Sequence, residues 1–138
     1  MKILGVDFGE RRTGIAVSDA LGITAQGVKT IFESDYKITA EKVLEELKLQ
    51  GAEKIVLGLP KNMDGSIGFQ AQYCLDFKEM LEKEVKLPVI MIDERMTSRM
   101  AHNTMLKADM SRNKRKQNVD KLAATIILQS YLDSMPKY

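Results

Sequence analysis

The chain has one cysteine, one histidine and no tryptophan in 138 residues, and each scarcity removes a class of chemistry. A lone Cys74 excludes an intrachain disulfide and any cysteine-cluster metal site, and it fits a reducing compartment. With His102 as the only imidazole, a histidine-rich metal site is excluded too. Any bound metal would be held by carboxylate oxygens, and would therefore be a hard cation. No apolar run is long enough to span a bilayer, and the Met1–Val6 start is cut short by Asp7, so it does not read as a signal peptide. The expectation is a cytoplasmic protein with no membrane partner. Aromatic residues are few, four Phe and four Tyr, which leaves no aromatic-rich strand face for stacking bases.

Charge is balanced overall, at +2, but unevenly spread. From Arg95 to Lys121 there are eight basic residues against Asp109 and Asp120, so this segment carries +6 and the remainder −4. A basic stretch on an otherwise mildly acidic chain suits a polyanionic partner.

The length and the absence of linkers or repeats predict one domain over residues 1–138. Residues 2–8 and 13–18 alternate as strands, and the short Gly9–Arg12 connection makes them an antiparallel hairpin. A third strand is expected around Gly27–Phe32. Ile38, Val43, Leu44, Leu47 and Leu49 then fall near helical spacing, with Gly51 as a stop signal. Ile55–Leu59 and Pro88–Ile92 are short apolar runs of the kind buried on both faces of a sheet. Between them, residues 67–85 read as a helix with Phe69, Tyr73, Phe77, Met80 and Leu81 as its buried stripe. Thr97 or Ser98 caps a further helix to about Lys107, Asp109–Asn118 reads as a basic loop, and a last helix starts at Val119 with Leu122, Ala123, Ile126 and Ile127 on one face. The order predicts an α/β fold, a mixed sheet with helices on both faces.

The chemically informative residues sit at element ends. Asp7 closes the first strand, Asp93 and Glu94 close the last, and Asp120 opens the final helix. Sites in open α/β sheets gather at the carboxyl ends of strands. Three acids collected there repel one another without a cation, whereas with Mg²⁺ or Mn²⁺ they become ligands suited to phosphodiester hydrolysis. Each acid also has a plain structural use: Asp7 as partner of Arg11 or Arg12, Asp93 and Glu94 as loop residues, Asp120 as a favourable charge in a helical first turn capped by Asn118. Taken together, with a basic segment leading into Asp120, the site reading prevails.

The stretches VDFGERRTGIAVSD, IVLGLPKNMDGS, DERMTS and VDKLAATIILQSYL, in this order across nearly the whole chain, resemble the YqgF family of Holliday junction resolvases, also described as nucleases of precursor small-subunit ribosomal RNA. The resemblance implies a ribonuclease H-like fold with a mixed five-stranded sheet, three antiparallel strands followed by two parallel ones. It implies catalytic acids at Asp7, Glu94 and Asp120, with Asp93 in the same motif as ligand or supporting partner. It further implies Mg²⁺ or Mn²⁺ as cofactor and pre-16S rRNA or branched DNA as partner of a monomer or weak homodimer. Arg11, Arg12, Lys61, Asn62, Arg112, Lys114, Arg115 and Lys116 are the expected phosphate contacts, the last four because they adjoin Asp120. Two other readings compete. DFGERRTGIAV also resembles the first phosphate loop of the actin and sugar-kinase superfamily, and a non-catalytic nucleic-acid-binding module would want the same basic segment. The Met96, Met100 and Met105 set reads as adaptable filler rather than ligands, Cys74 as inert and His102 as outside the site.

Overall fold

The computed structural model describes residues 1–62, 64–85, 87–94 and 112–135, of which 112–120 are described by backbone alone. Its elements are β1 (Lys2–Asp7), β2 (Arg12–Ser18), β3 (Ala25–Phe32), α1 (Tyr36–Gln50), β4 (Ala52–Leu59), α2 (Phe69–Glu84), β5 (Val89–Asp93) and α3 (Arg112–Ser134). The five strands form one sheet in the order β3-β2-β1-β4-β5. β1–β2 and β2–β3 pair antiparallel, while β1–β4 and β4–β5 pair parallel. This is the mixed sheet the sequence predicts, with β1 at its centre.

Strand alternation sorts the side chains into two cores. Leu4, Val6, Ile15, Ile55 and Leu57 pack with Val43 and Leu47 of α1 and with Cys74, Phe77 and Leu81 of α2. Ile3, Ala16 and Val56 pack on the opposite face with Ala124, Ile127, Leu128 and Leu132 of α3. β4 contributes to both, which is why its Ile55–Leu59 stretch is apolar without a break. α3 comes very close to the centre of the sheet. A methyl group on Gly5 would lie 2.7 Å from Leu128 Cβ and 3.1 Å from the Ala124 carbonyl oxygen. No larger residue fits between β1 and the helix at that point.

Local signals explain the helix ends. The Asp35 carboxylate accepts from the backbone N–H of Lys37 at 2.9 Å and of Ile38 at 3.2 Å, capping α1. Gly51 ends the same helix in the left-handed region, at φ 66°.

Two expectations need correction. Phe69 and Tyr73 do not belong to the buried stripe of α2: they are 85% and 36% exposed, and the buried positions are Ala71, Cys74, Phe77 and Leu81. The face is fixed by Phe77, whose ring stacks on Phe8 at 4.1 Å and 10°. The stretch 112–118 is helix rather than loop, since α3 begins at Arg112. Arg, Lys and Gln are good helix formers, and no Gly or Pro interrupts 112–134. Farther along, Ile126 and Ile127 are buried as expected, but Ala124, Leu128 and Leu132 complete the face while Leu122 and Ala123 are half-buried. The helix expected after Thr97 or Ser98 lies outside the described residues, as do His102 and Met96, Met100 and Met105.

Candidate active site

Asp7 and Glu94 meet at the carboxyl ends of the parallel strands. Asp7 is the last residue of β1, paired with Gly14 of β2. By alternation it shares the face of Ile3 and Gly5, the face covered by α3. Glu94 follows β5 directly, and its backbone N–H donates to the Leu59 carbonyl at 3.0 Å, extending the parallel ladder by one bond. That bond fixes where the side chain starts.

The floor beneath Glu94 is Gly58. A methyl group there would lie 2.6 Å from Glu94 Cδ, 2.8 Å from its Cγ and 2.6 Å from Ile127 Cδ1. The missing side chain is therefore what allows the Glu94 carboxyl to lie inward across β4, toward Asp7. We expect Gly58→Ala to push the Glu94 carboxyl out of place at a stability cost of only about 1 kcal/mol, since the added methyl meets the movable ends of the Glu94 and Ile127 side chains. Chemical denaturation checks the stability, and any nuclease activity should fall further than the stability loss explains.

The two carboxyl groups lie within hydrogen-bonding reach of each other. A hydrogen bond there needs a proton between them, because two carboxylates offer only acceptors. Burial pushes the Glu94 carboxyl above its usual range; the bond to Asp7 opposes this and the Asp93 charge adds to it. A group whose folded pKa is raised stabilises the fold fully below its unfolded pKa, and that contribution is lost as pH rises through the folded value. Without metal, the protein should lose stability as pH climbs out of the acidic range. Glu94→Gln keeps a donor for Asp7 without the charge. It should raise metal-free stability at neutral pH by about 1 kcal/mol and flatten the pH dependence, measured by thermal melts across pH in chelator.

Asp93 takes a different position. Ile90 and Ile92 pack toward α3 while Met91 packs with the other core, so alternation gives Asp93 the side of Met91. It adds negative charge beside Glu94 from the edge of the sheet. Asp120 is known by its backbone only, one helical turn before Ala124, whose carbonyl rests on Gly5. Gly5 precedes Asp7 by two residues on the same face, so α3 carries position 120 toward the Asp7 end of β1. Among the described residues no group of three or more His, Cys, Asp or Glu side chains is arranged to hold a metal ion. Asp7 and Glu94 form a pair of hard oxygen donors, and further ligands have to come from beyond them.

Arg11 and Arg12 are exposed at the same end of the sheet. In the β4–α2 loop, Asn62 is engaged in the turn itself: its backbone N–H donates to the Ser66 carbonyl at 3.0 Å and its side-chain Nδ2 to Ser66 Oγ at 3.0 Å. Lys61 beside it is half-buried. The side chains of Arg112, Lys114, Arg115 and Lys116 lie outside the described part, but their placement on a helix has consequences. Positions 112, 115 and 116 fall on one side of α3, and 114 on the other.

Cys74 is buried in α2. Burial first, then the nearby charges of Glu94 and Asp7, pushes its thiol up to about 12, so it is unreactive as expected. Gly58 is the residue sequence reasoning missed. Its signal was available, a glycine inside an otherwise apolar buried strand.

A five-stranded mixed sheet with acids at the ends of its central and last strands defines the ribonuclease H-like class. RuvC of Thermus thermophilus bound to a Holliday junction shares the fold, with TM-score 0.61 over 97% of each chain at 15% identity. So does the fowlpox virus resolvase bound to junction DNA, with TM-score 0.60 over 97% of this chain and 98% of that one at 16% identity. The chain belongs to the RuvX family, described as Holliday junction resolvase, which matches residues 1–134. A relative from Clostridium novyi (strain NT), named "Putative pre-16S rRNA nuclease", is 48% identical over 98% of this chain and 100% of its own length. The resemblance carried by the four sequence motifs is borne out. Among the described residues, no helix is long and apolar enough to cross a membrane.

Proposed function

We propose that the protein is a divalent-metal-dependent nuclease that hydrolyses phosphodiester bonds in structured nucleic acid, either precursor 16S rRNA or branched DNA, in the cytoplasm. The observation that carries this reading is the Asp7–Glu94 pair, two half-buried carboxyl groups within hydrogen-bonding reach of each other at the carboxyl edge of the sheet. Such a pair is costly unless a proton or a cation lies between the charges. Asp7, Glu94 and Asp120 would hold Mg²⁺ or Mn²⁺, with Asp93 supplying charge from the adjoining position. When bound, the metal supplies activation of the attacking water and stabilisation of the leaving oxygen.

The rest of the work falls to the chain. Gly58 and the Leu59 carbonyl hold Glu94 against Asp7, and Phe8 stacked on Phe77 anchors the end of β1 in the core. Arg11, Arg12 and Lys61, with Arg112, Lys114, Arg115 and Lys116 at the start of α3, would bind phosphates and bring the scissile bond to the acids; Asn62 shapes the loop that presents Lys61. Membership of the RuvX family favours hydrolysis over phosphotransfer, and the close acid pair argues against a purely binding module, since carboxylates repel phosphates. A monomer is sufficient to trim RNA, whereas paired cuts in a four-way junction require a homodimer.

The test sets a four-way DNA junction beside precursor 16S rRNA, each with Mg²⁺, Mn²⁺ or chelator. Metal-dependent cleavage of either supports the proposal, and the preferred substrate identifies the role. No cleavage of both, by folded protein with metal present, refutes it.

A further inference from the structure

The four phenylalanines divide sharply. Phe8 and Phe77 are buried and stacked on each other, whereas Phe32 is 70% exposed and Phe69 is 85% exposed. A single exposed apolar side chain needs no explanation. Phe32 differs through its position. It closes β3 at the end of the sheet where Asp7 closes β1, and its register partner across β2 is the exposed Arg12. Ile31 packs into the core under α1 and α2, so alternation turns Phe32 to the other face. That is the face of Asp7 and Glu94. Phe69 belongs to α2, in the opposite layer.

The rung next to the Arg12–Phe32 pair is Thr30, Gly14 and Asp7, with no large side chain. β3 lies two strands from β1, about 10 Å. The first turns of α3, with their cationic sequence, lead toward the same end, since Lys121 already sits over Gly27 of β3. An exposed ring beside an arginine, near the start of a helix with a cationic sequence and the proposed phosphodiester site, matches how proteins grip unpaired nucleotides: phosphates on cations, bases on aromatic faces.

We propose that Phe32, with Arg12 beside it, is a stacking platform for an unpaired base close to the scissile phosphate. The site would therefore select nucleic acid with a single-stranded segment at the cut, as RNA or as DNA. The proposal rests on the nuclease reading and narrows its substrate. Phe32 acts by positioning: it holds the strand in register and takes no part in the chemistry.

The test uses full-length protein carrying Asp7→Asn to prevent cleavage, with Mg²⁺ present. The probes are a 12-nucleotide single-stranded RNA and its DNA counterpart, each with one 2-aminopurine, and the matching blunt duplexes. Adding Phe32→Ala should weaken single-strand binding by roughly 5- to 150-fold and abolish the 2-aminopurine quenching, while duplex affinity holds. Phe32→Tyr should restore both. Because the ring is exposed, thermal melts should show all three proteins equally folded. Equal single-strand affinity in Phe32→Ala, or equal losses for single strand and duplex, would overturn the stacking site while leaving the nuclease reading intact. If the Asp7→Asn parent bound neither single strand nor duplex, both readings would fall. The RNA and DNA arms show which strand chemistry the platform accepts.

Discussion

Asp7→Asn is expected to abolish cleavage, by a thousandfold or more, while leaving the fold and nucleic-acid binding largely intact. The scale is that of removing one preorganised electrostatic group from a reaction centre, on the order of 10²–10³ or greater. The amide has the shape of the carboxyl, so the Gly14 rung and the hydrogen-bonding reach to Glu94 survive the change. It lacks the negative charge that a hard cation requires. The metal-free variant should be at least as stable as the parent, because the acid–acid repulsion at the end of β1 is gone. Single-turnover cleavage assays with excess protein measure the loss, and binding to uncleaved substrate is the control. Near-parental cleavage would show that the catalytic group is elsewhere.

The second large effect concerns the start of α3. If Arg112, Arg115 and Lys116 contact phosphates together, binding should fall steeply with salt, each contact adding about −0.9 to the log–log slope on duplex DNA. Their triple replacement by alanine should flatten that slope by about 2.7 and weaken binding uniformly across sequences, because phosphate contacts carry no base information. Lys114, on the other side of the helix, should contribute little when replaced alone. A loop would have made the four residues equivalent; a helix makes them three and one. Stability should hold, as alanine is the best helix former. Affinity titrations at several salt concentrations decide the matter, and an unchanged slope in the triple variant would assign the phosphates to another surface.

What the sequence makes legible depends on whether burial leaves a pattern. Ile55–Leu59 of β4 and Val89–Ile92 of β5 are apolar without interruption, and β1 and β2 alternate, so strand positions follow from period alone. Gly51 marks the end of α1 because only a left-handed residue closes a helix that way. The first turns of α3 are hidden because Arg, Lys, Asn and Gln show no apolar stripe, and helix propensity without periodicity looks like a loop. Phe69 misleads for a related reason: the stripe of α2 is set by contact between Phe77 and Phe8, from different elements, which no local period reveals. The site divides likewise. Asp7 and Glu94 stand out as charges at strand ends. Their closeness is a tertiary fact, and so is the dependence of Glu94 on empty space above Gly58.

The sheet order also bears on how the site comes apart. β1 is bonded to β2 on one side and β4 on the other, so its amides can exchange with solvent only when most of the sheet opens. β5 has five residues and only β4 as a strand partner among the described residues, and Glu94 follows its last residue. Asp7 therefore ends a strand paired on both sides, and Glu94 follows one paired on a single side among the described residues. Local opening of β5 is expected to withdraw Glu94 from Asp7 before the sheet as a whole unfolds. Mild denaturant should thus silence the protein while its circular dichroism remains native.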